Sequence, residues 1–416
     1  MTDSHPSPRI ELLPLRAALP AGQDSEVTVL ARIHPAPAPR ATAPRPPLNL
    51  CLVIDRSGSM DGPALAMARR ATQVAIRALQ PHDRVGVVAF DDEVTTVVPS
   101  QLVTDPERLV REVEGIAAGG MTALHRGWLE GAMQSAQHID AQAINRVILL
   151  SDGQANQGEV RPQVIAEQVR GLAQRGVGTS TIGLGRDYDE HLLQAMAEAG
   201  DGNYEHIEDA EALPAYFQAE LQGLTRTTAH TVSLGVEPNP ALSSRRVEIL
   251  NDLPLNPLRR SQLPNLIDGH PTEVVFTVQV PAQFESPDLG ITRVRLAWTG
   301  RDGVRRRMRA QLNLPVVPPT VYEGLPDDPQ VRVPLERLRA ARVREQAVAY
   351  ATAGQVHASR AVLADEHVRL RAFADELPLL AEEAATLQAL NEDFGQDEQL
   401  ARKRATSQSY KSRRTR

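Results

Sequence analysis

Asp55, Ser57 and Ser59 occupy alternate positions in LNLCLVIDRSGSM (48–60), where an almost unbroken apolar run ends in an acid and two hydroxyls around a glycine. Two further stretches offer the same kind of chemistry. AAGGMTALHRG (117–127) sets Thr122 behind a flexible Gly119-Gly120 pair and in front of a helical pattern, and NRVILLSDG (145–153) ends another apolar run in Asp152. Two carboxylates and three hydroxyls are hard oxygen donors without imidazole or thiolate, a set suited to Mg2+ (or Mn2+ or Ca2+). Mg2+ keeps several waters in its octahedron, so a few direct protein oxygens suffice. If the acids act partly through water, the ion stays electrophilic and one position stays open. A carboxylate from another molecule is its natural occupant.

The elements that must position these residues follow from the pattern between 48 and 226. Apolar, β-branched runs at 48–55, 84–90, 145–152, 176–185 and 203–208 alternate with helical periods at 62–79, 105–117, 123–138, 161–175, 188–199 and 211–224. VTTVVP (94–99) suits an antiparallel edge strand. Alternating strand and helix predicts an α/β domain, a doubly wound and mainly parallel sheet with helices on both faces. Such sheets bind ligands outside the carboxyl ends of their strands, and the Asp55, Thr122 and Asp152 loops all lie at that edge.

The rest of the chain is of different character. Strand-like stretches at 8–34 and 229–317 have no helices among them, and ITRVRLAWTG-RDG-VRRRMRAQLNL reads as a hairpin turned by Asp302-Gly303. Residues 1–47, ending in the stiff, proline-dense PAPAPRATAPRPP (35–47), and 227–319 are therefore expected to build one β-sandwich. The α/β domain (48–226) is inserted between its strands. Residues 320–395 carry helical spacing, strongest at 334–390, and predict two or three packed helices. The segment 396–416 is basic and poor in bulky aliphatics, which predicts a disordered tail. Docking of 402–416 to an acidic protein, nucleic acid or membrane surface, tuned by phosphorylation of Thr406, Ser407 or Ser409, is the functional alternative.

Asp-x-Ser-x-Ser at 55–59, Thr122 in a Gly-Gly-x-Thr loop and Asp152 in Ser-Asp-Gly together resemble the metal-ion-dependent adhesion site of von Willebrand factor type A domains, over residues 48 to about 224. All five motif positions match. The resemblance implies that Ser57, Ser59 and Thr122 ligate a divalent cation directly. Asp55 and Asp152 would act largely through water, and a protein partner would supply the Asp or Glu that completes the shell. It further implies that helix 211–224 shifts on ligand closure and that the domain carries no enzymatic activity. The wider layout is similar to bacterial proteins of this class and to inter-α-trypsin-inhibitor heavy chains.

Other chemistries fit less well. Ser57 and Ser59 lie between strand and helix as a nucleophile would, but Arg-Ser-Gly-Ser-Met is not Gly-x-Ser-x-Gly, and no histidine is placed as a base. Asp55 lacks the second acid of an aspartyl phosphatase, because that position is Ser57. There is no P-loop, so a role as the metal-binding subunit of a Mg2+-dependent chelatase or ATPase-linked complex would need a motor on another chain. A scaffold with a fold-stabilising metal remains the third reading. Arg56 reads as a solvated arginine, Asp91-Asp92-Glu93 as a turn, and His125 as a satisfied or solvated histidine.

Composition narrows the setting. A net charge of −7 over 416 residues marks no global nucleic-acid binder. The single cysteine, Cys51, lies in an apolar strand and excludes an internal disulfide or a cysteine metal site. The start, MTDSHPSPRIELLPLR, has no basic segment followed by an apolar core, and no apolar run reaches membrane-spanning length, so a cytoplasmic protein is expected. The sequence leaves the oligomeric state open.

Overall fold

The computed structural model describes residues 7–37, 45–242, 246–256, 258–374 and 376–414, so most of the proline-dense connector lies outside the described residues. The chain forms two compact units: Met1–Pro37 with Thr228–Gly300 and Val304–Arg416, and Ala38–Thr227 with Arg301–Gly303. The second is thus inserted in the sequence of the first. Among the described residues no helix is long and apolar enough to cross a membrane.

Three strands open the chain, β1 (Arg9–Pro14), β2 (Leu19–Pro20) and β3 (Ser25–His34). The inserted unit then runs β4 (Leu48–Asp55), α1 (Pro63–Ala78), β5 (Arg84–Phe90), β6 (Val94–Leu102), α2 (Pro106–Glu114), α3 (Leu124–Ala136) and β7 (Ile144–Ser151). It closes with α4 (Pro162–Gln174), β8 (Val177–Leu184), α5 (Glu190–Ala199), β9 (Tyr204–Ile207) and α6 (Leu213–Thr225). The strands form one sheet in the order β6-β5-β4-β7-β8-β9, parallel except for the antiparallel edge strand β6.

Every residue of β4 and β7 is buried, because helices cover both faces of a parallel sheet and leave no polar side to alternate with. Leu65, Leu109, Phe217 and Leu221 of α1, α2 and α6 share a core with Leu50, Leu52 and Ile54 of β4. On the other face α3 lies very close to the sheet: a Cβ on Gly127 would come within 2.4 Å of the Phe90 ring, and one on Gly131 within 2.2 Å of Val53. Those two glycines let α3, and the threonine loop leading into it, sit directly over the strand ends. The chain winds outward in opposite directions from β4 and β7, which makes their carboxyl ends the switch point where such sheets bind ligands.

The first unit continues with β10 (Thr227–Pro238), β11 (Val247–Ile249), β12 (Ser261–Leu263), β13 (Leu266–Ile267), β14 (Thr272–Val280), β15 (Ser286–Gly300) and β16 (Arg305–Val317). Two sheets result, β1-β3-β14-β11 and β12-β10-β15-β16-β2 with β13 also on β10. Val29, Ala31 and Ile33 of β3 meet Val232, Leu234, Val294 and Leu296 in the core between them. Gly303 turns the β15–β16 hairpin with φ at 71°.

The helical segment is longer than the spacing predicts. A short α7 (Pro319–Glu323) precedes α8 (Pro329–Thr352), α9 (Val356–Arg371), α10 (Pro378–Gln396) and α11 (Glu398–Arg414). The expected disorder of 396–416 is overturned for the described part of that segment. Ala401, Ala405 and Tyr410 are buried, the two alanines in one core with Ala340, Ala347, Leu387 and Phe394. Ser409 donates to the Ala341 carbonyl and to Glu345, while Arg404 pairs with Asp393 and Arg413 with Glu345. Small side chains let α11 lie close to α8, and distant acids satisfy its cations. Thr406, Ser407 and Ser409, expected as accessible phosphorylation sites, are buried.

Candidate metal centre

The Asp55, Thr122 and Asp152 loops meet at the carboxyl ends of β4 and β7. Gly58 N–H donates to the Gly120 carbonyl (2.9 Å) and Gly119 N–H to the Arg56 carbonyl (2.7 Å), joining the first two loops through their backbones. Asn156, beyond Asp152, joins the third: Thr122 N–H donates to its side-chain oxygen at 2.9 Å and its own N–H donates to the Thr122 carbonyl at 3.2 Å.

Within this frame the five expected residues come together. Ser57 and Ser59 hydroxyls lie 3.2 Å apart, and Ser59 donates to Asp152 Oδ1 at 2.7 Å. A Cβ placed on Gly153 would lie 3.3 Å from Thr122 Oγ1, 3.4 Å from Ser59 Oγ and 3.9 Å from Ser57 Oγ, so three hydroxyls from two loops gather within 4 Å of one point. Asp55 stands behind them, fully buried. Its Oδ1 accepts from Ser57 N–H (2.8 Å) and its Oδ2 from the Ser151 hydroxyl (2.5 Å). The donor set fits a hard divalent cation, with neutral hydroxyls at the front and carboxylates beside and behind.

The von Willebrand factor type A domain family matches residues 49–219. Those residues are a von Willebrand factor A domain. Within the curated relatives, the chain is 30% identical over 193 residues to the uncharacterized protein sll0103 of Synechocystis, which covers 45% of this chain and 44% of that protein. It is also 30% identical over 237 residues to inter-alpha-trypsin inhibitor heavy chain H3 of Mesocricetus auratus, covering 55% of this chain and 25% of the relative. The chain spans less than half the length of either. A solved structure of a von Willebrand factor type A protein from Catenulispora acidiphila matches 99% of this chain and 98% of its own at a TM-score of 0.73 and 18% identity, a likeness of fold. A domains are in general protein-interaction modules.

Several residues that organise the A-domain site are not evident as such in the sequence. Asp91, read there as part of a turn, is buried and accepts from Glu93 N–H, Gly120 N–H and the Arg56 guanidinium. Arg56 is thus an ion-pair partner at 3.1 Å rather than a solvated side chain. Asp92 accepts from Met121 N–H, and a Cβ on Gly119 or Gly120 would collide with Asp91 or Asp92. The acids after β5 therefore clamp the threonine loop. Their one sequence signal is shared with Asp55: an acid at the carboxyl end of a buried strand. His125 meets Gln168 at 2.8 Å.

Burial pushes the Asp55 carboxyl up to about 6, although the Ser151 and Ser57 bonds favour its charged form. Asp152 is raised for the same first reason, against the pull of its Ser59 bond. At Asp91 burial acts upward too, but the two backbone donors and Arg56 outweigh it and hold the group below the usual carboxylate value. An acid raised in the folded state favours folding fully below its unfolded value, and that contribution is lost as pH rises through the folded one. Without metal, ionised Asp55 therefore costs the fold up to about 3 kcal/mol near neutral pH. Asp55→Asn is expected to stabilise the metal-free protein near pH 7, to change little near pH 4, and to lose any metal response. Urea unfolding in EDTA at both pH values checks this; a variant less stable at both would show the carboxylate to be a structural anchor.

Proposed function

We propose that the A domain is a non-enzymatic binding module that uses a divalent cation, Mg2+ or a similar hard ion, to capture an Asp or Glu side chain of a protein partner. The convergence of Thr122, Ser59 and Ser57 hydroxyls on one point beside Asp152 carries this reading. Ser57, Ser59 and Thr122 would hold the ion as neutral donors, with Asp152 alongside. When bound, the cation supplies a Lewis-acidic seat for a carboxylate. Asp55 fixes the Ser57 backbone and balances charge from behind, so the front of the site remains attractive to an anion. The absence of enzymatic chemistry is part of the proposal: each serine hydroxyl meets an oxygen, of the other serine or of Asp152, so neither is paired to an imidazole in these contacts.

Mg2+ or Mn2+ should raise thermal stability by mass action, by about 2.7 kcal/mol at a hundredfold excess over Kd. Thr122→Ala is expected to abolish EDTA-sensitive partner capture while leaving metal-free stability within about 1 kcal/mol. Calorimetry with each metal and pull-downs with and without EDTA test the two halves. No uptake at millimolar metal sinks the cation, and equal loss of folding and capture turns the site into a fold-stabilising one.

A further inference from the structure

The outward sides of the two sandwich sheets are covered differently. α8 lies on the four-stranded sheet, with Val331, Leu335 and Leu338 against Leu30 and Val275. The other sheet presents arginine. Along β16, Met308, Leu312, Leu314 and Val316 pack toward the sandwich core, and the two-residue alternation turns Arg305, Arg307 and Arg309 to the opposite, exposed side. β15 does the same with Val294, Leu296 and Trp298 inward and Arg293 and Arg295 outward. Arg260 lies across Gly235 of β10, its Cγ and Nε 3.6 Å from where a Cβ would stand.

The register sets Arg295 directly opposite Arg309. Like charges in that relation are destabilising. Glu237 pairs with Arg295 at 2.8 Å, but Arg260, Arg293, Arg305, Arg307 and Arg309 have no carboxylate partner among the described residues. Among the described residues, strand pairing also leaves most of one edge of β16 open. β15 pairs along its length, whereas β2 reaches it only at Val316 and Val317. Charged residues on an edge strand discourage self-pairing. That accounts for arginine on β16, and not for Arg293, Arg295 and Arg260, which lie further back.

We propose that this face docks an extended, Asp/Glu-rich polypeptide segment, which adds as a strand along the free edge of β16 and sets alternate carboxylates against Arg307 and Arg309. These arginines stand ~7 Å apart, the spacing of alternate residues in an added strand. Ladder bonds supply affinity and the arginine–carboxylate pairs supply register. The residues between the arginines, Ser233, Ala297, Thr299, Gln311 and Asn313, include no aromatic ring on which bases could stack and no large apolar group to enter a bilayer. The net charge of −7 further disfavours a phosphate polymer.

The test uses the full chain in EDTA, which silences the metal site, and a fluorescein-labelled peptide of alternating Glu and Thr. Saturable binding is expected, with amide-exchange protection over 305–315. Binding should fall at least about tenfold for an Arg307→Glu/Arg309→Glu variant and for a block isomer of the peptide. The milder Arg307→Gln/Arg309→Gln pair serves if the charge reversal misfolds, and an intermediate loss is expected. No binding, or equal binding by folded variants, overturns the proposal. Tighter binding of an oligothymidylate or of phosphatidylserine vesicles than of the peptide overturns it in favour of a phosphate-bearing partner.

Discussion

A chain ending at Asp397 is expected to melt on the order of 10–20 °C below the full chain and to expose apolar surface to a dye such as ANS. Truncation removes the buried Tyr410 and opens the core that Ala401 and Ala405 share with Ala340, Ala347 and Phe394. It also strips Glu345 of both Ser409 and Arg413, Asp393 of Arg404, and the Asn251 amide of the Arg413 carbonyl. Burying one large side chain is worth ~1.5–3 kcal/mol, and each buried polar group left unpaired costs about 1–3 kcal/mol more. Several such losses in a unit of this size translate at about 2–4 °C per kcal/mol. Scanning calorimetry of the two chains decides it. A midpoint within about 2 °C of the full chain would mean that α11 adds nothing to the fold.

That helix marks one boundary of what the sequence makes legible. The segments Leu48–Asp55 and Arg84–Phe90 stand out because a strand buried on both faces must be apolar throughout, a pattern local to the strand itself. The five candidate ligands stand out for a related reason: each oxygen follows a buried strand or precedes a helix at a fixed spacing. The residues that hold those loops leave no such mark. Ser151 acts on Asp55, Asn156 on Thr122 and Asp91 on Gly120 through one or two hydrogen bonds each, across 29 to 96 positions, and the Thr122 and Gly120 bonds engage backbone N–H groups. In α11 the composition predicts solvation because arginine and serine are read as surface residues. Their partners Glu345, Asp393 and Ala341 lie on other helices, and periodicity within α11 does not show them.

Gly153→Ala is expected to erase the metal response of the A domain while the metal-free midpoint stays within about 3 °C of wild type. Gly153 is not among the residues with positive φ, so alanine adopts its backbone without strain. What the methyl group changes is the space in front. It would stand 3.3 to 3.9 Å from the Thr122, Ser59 and Ser57 hydroxyls, at the point they gather around. A cation and its waters need that volume, and three hydroxyls with a methyl group at that point cannot hold an ion there. Gly171→Ala is the matched control: nothing lies within 4 Å of its added carbon, and it should keep the metal-induced rise in midpoint. The comparison separates two accounts that loss-of-ligand variants leave entangled, since Asp55→Ala removes a donor and a loop anchor together. Gly153→Ala removes neither. If calorimetry finds metal bound as tightly by Gly153→Ala as by wild type, the three hydroxyls are loop fasteners and the ion site lies elsewhere. If affinity collapses with the fold intact, the point between Thr122, Ser59 and Ser57 is where the cation sits.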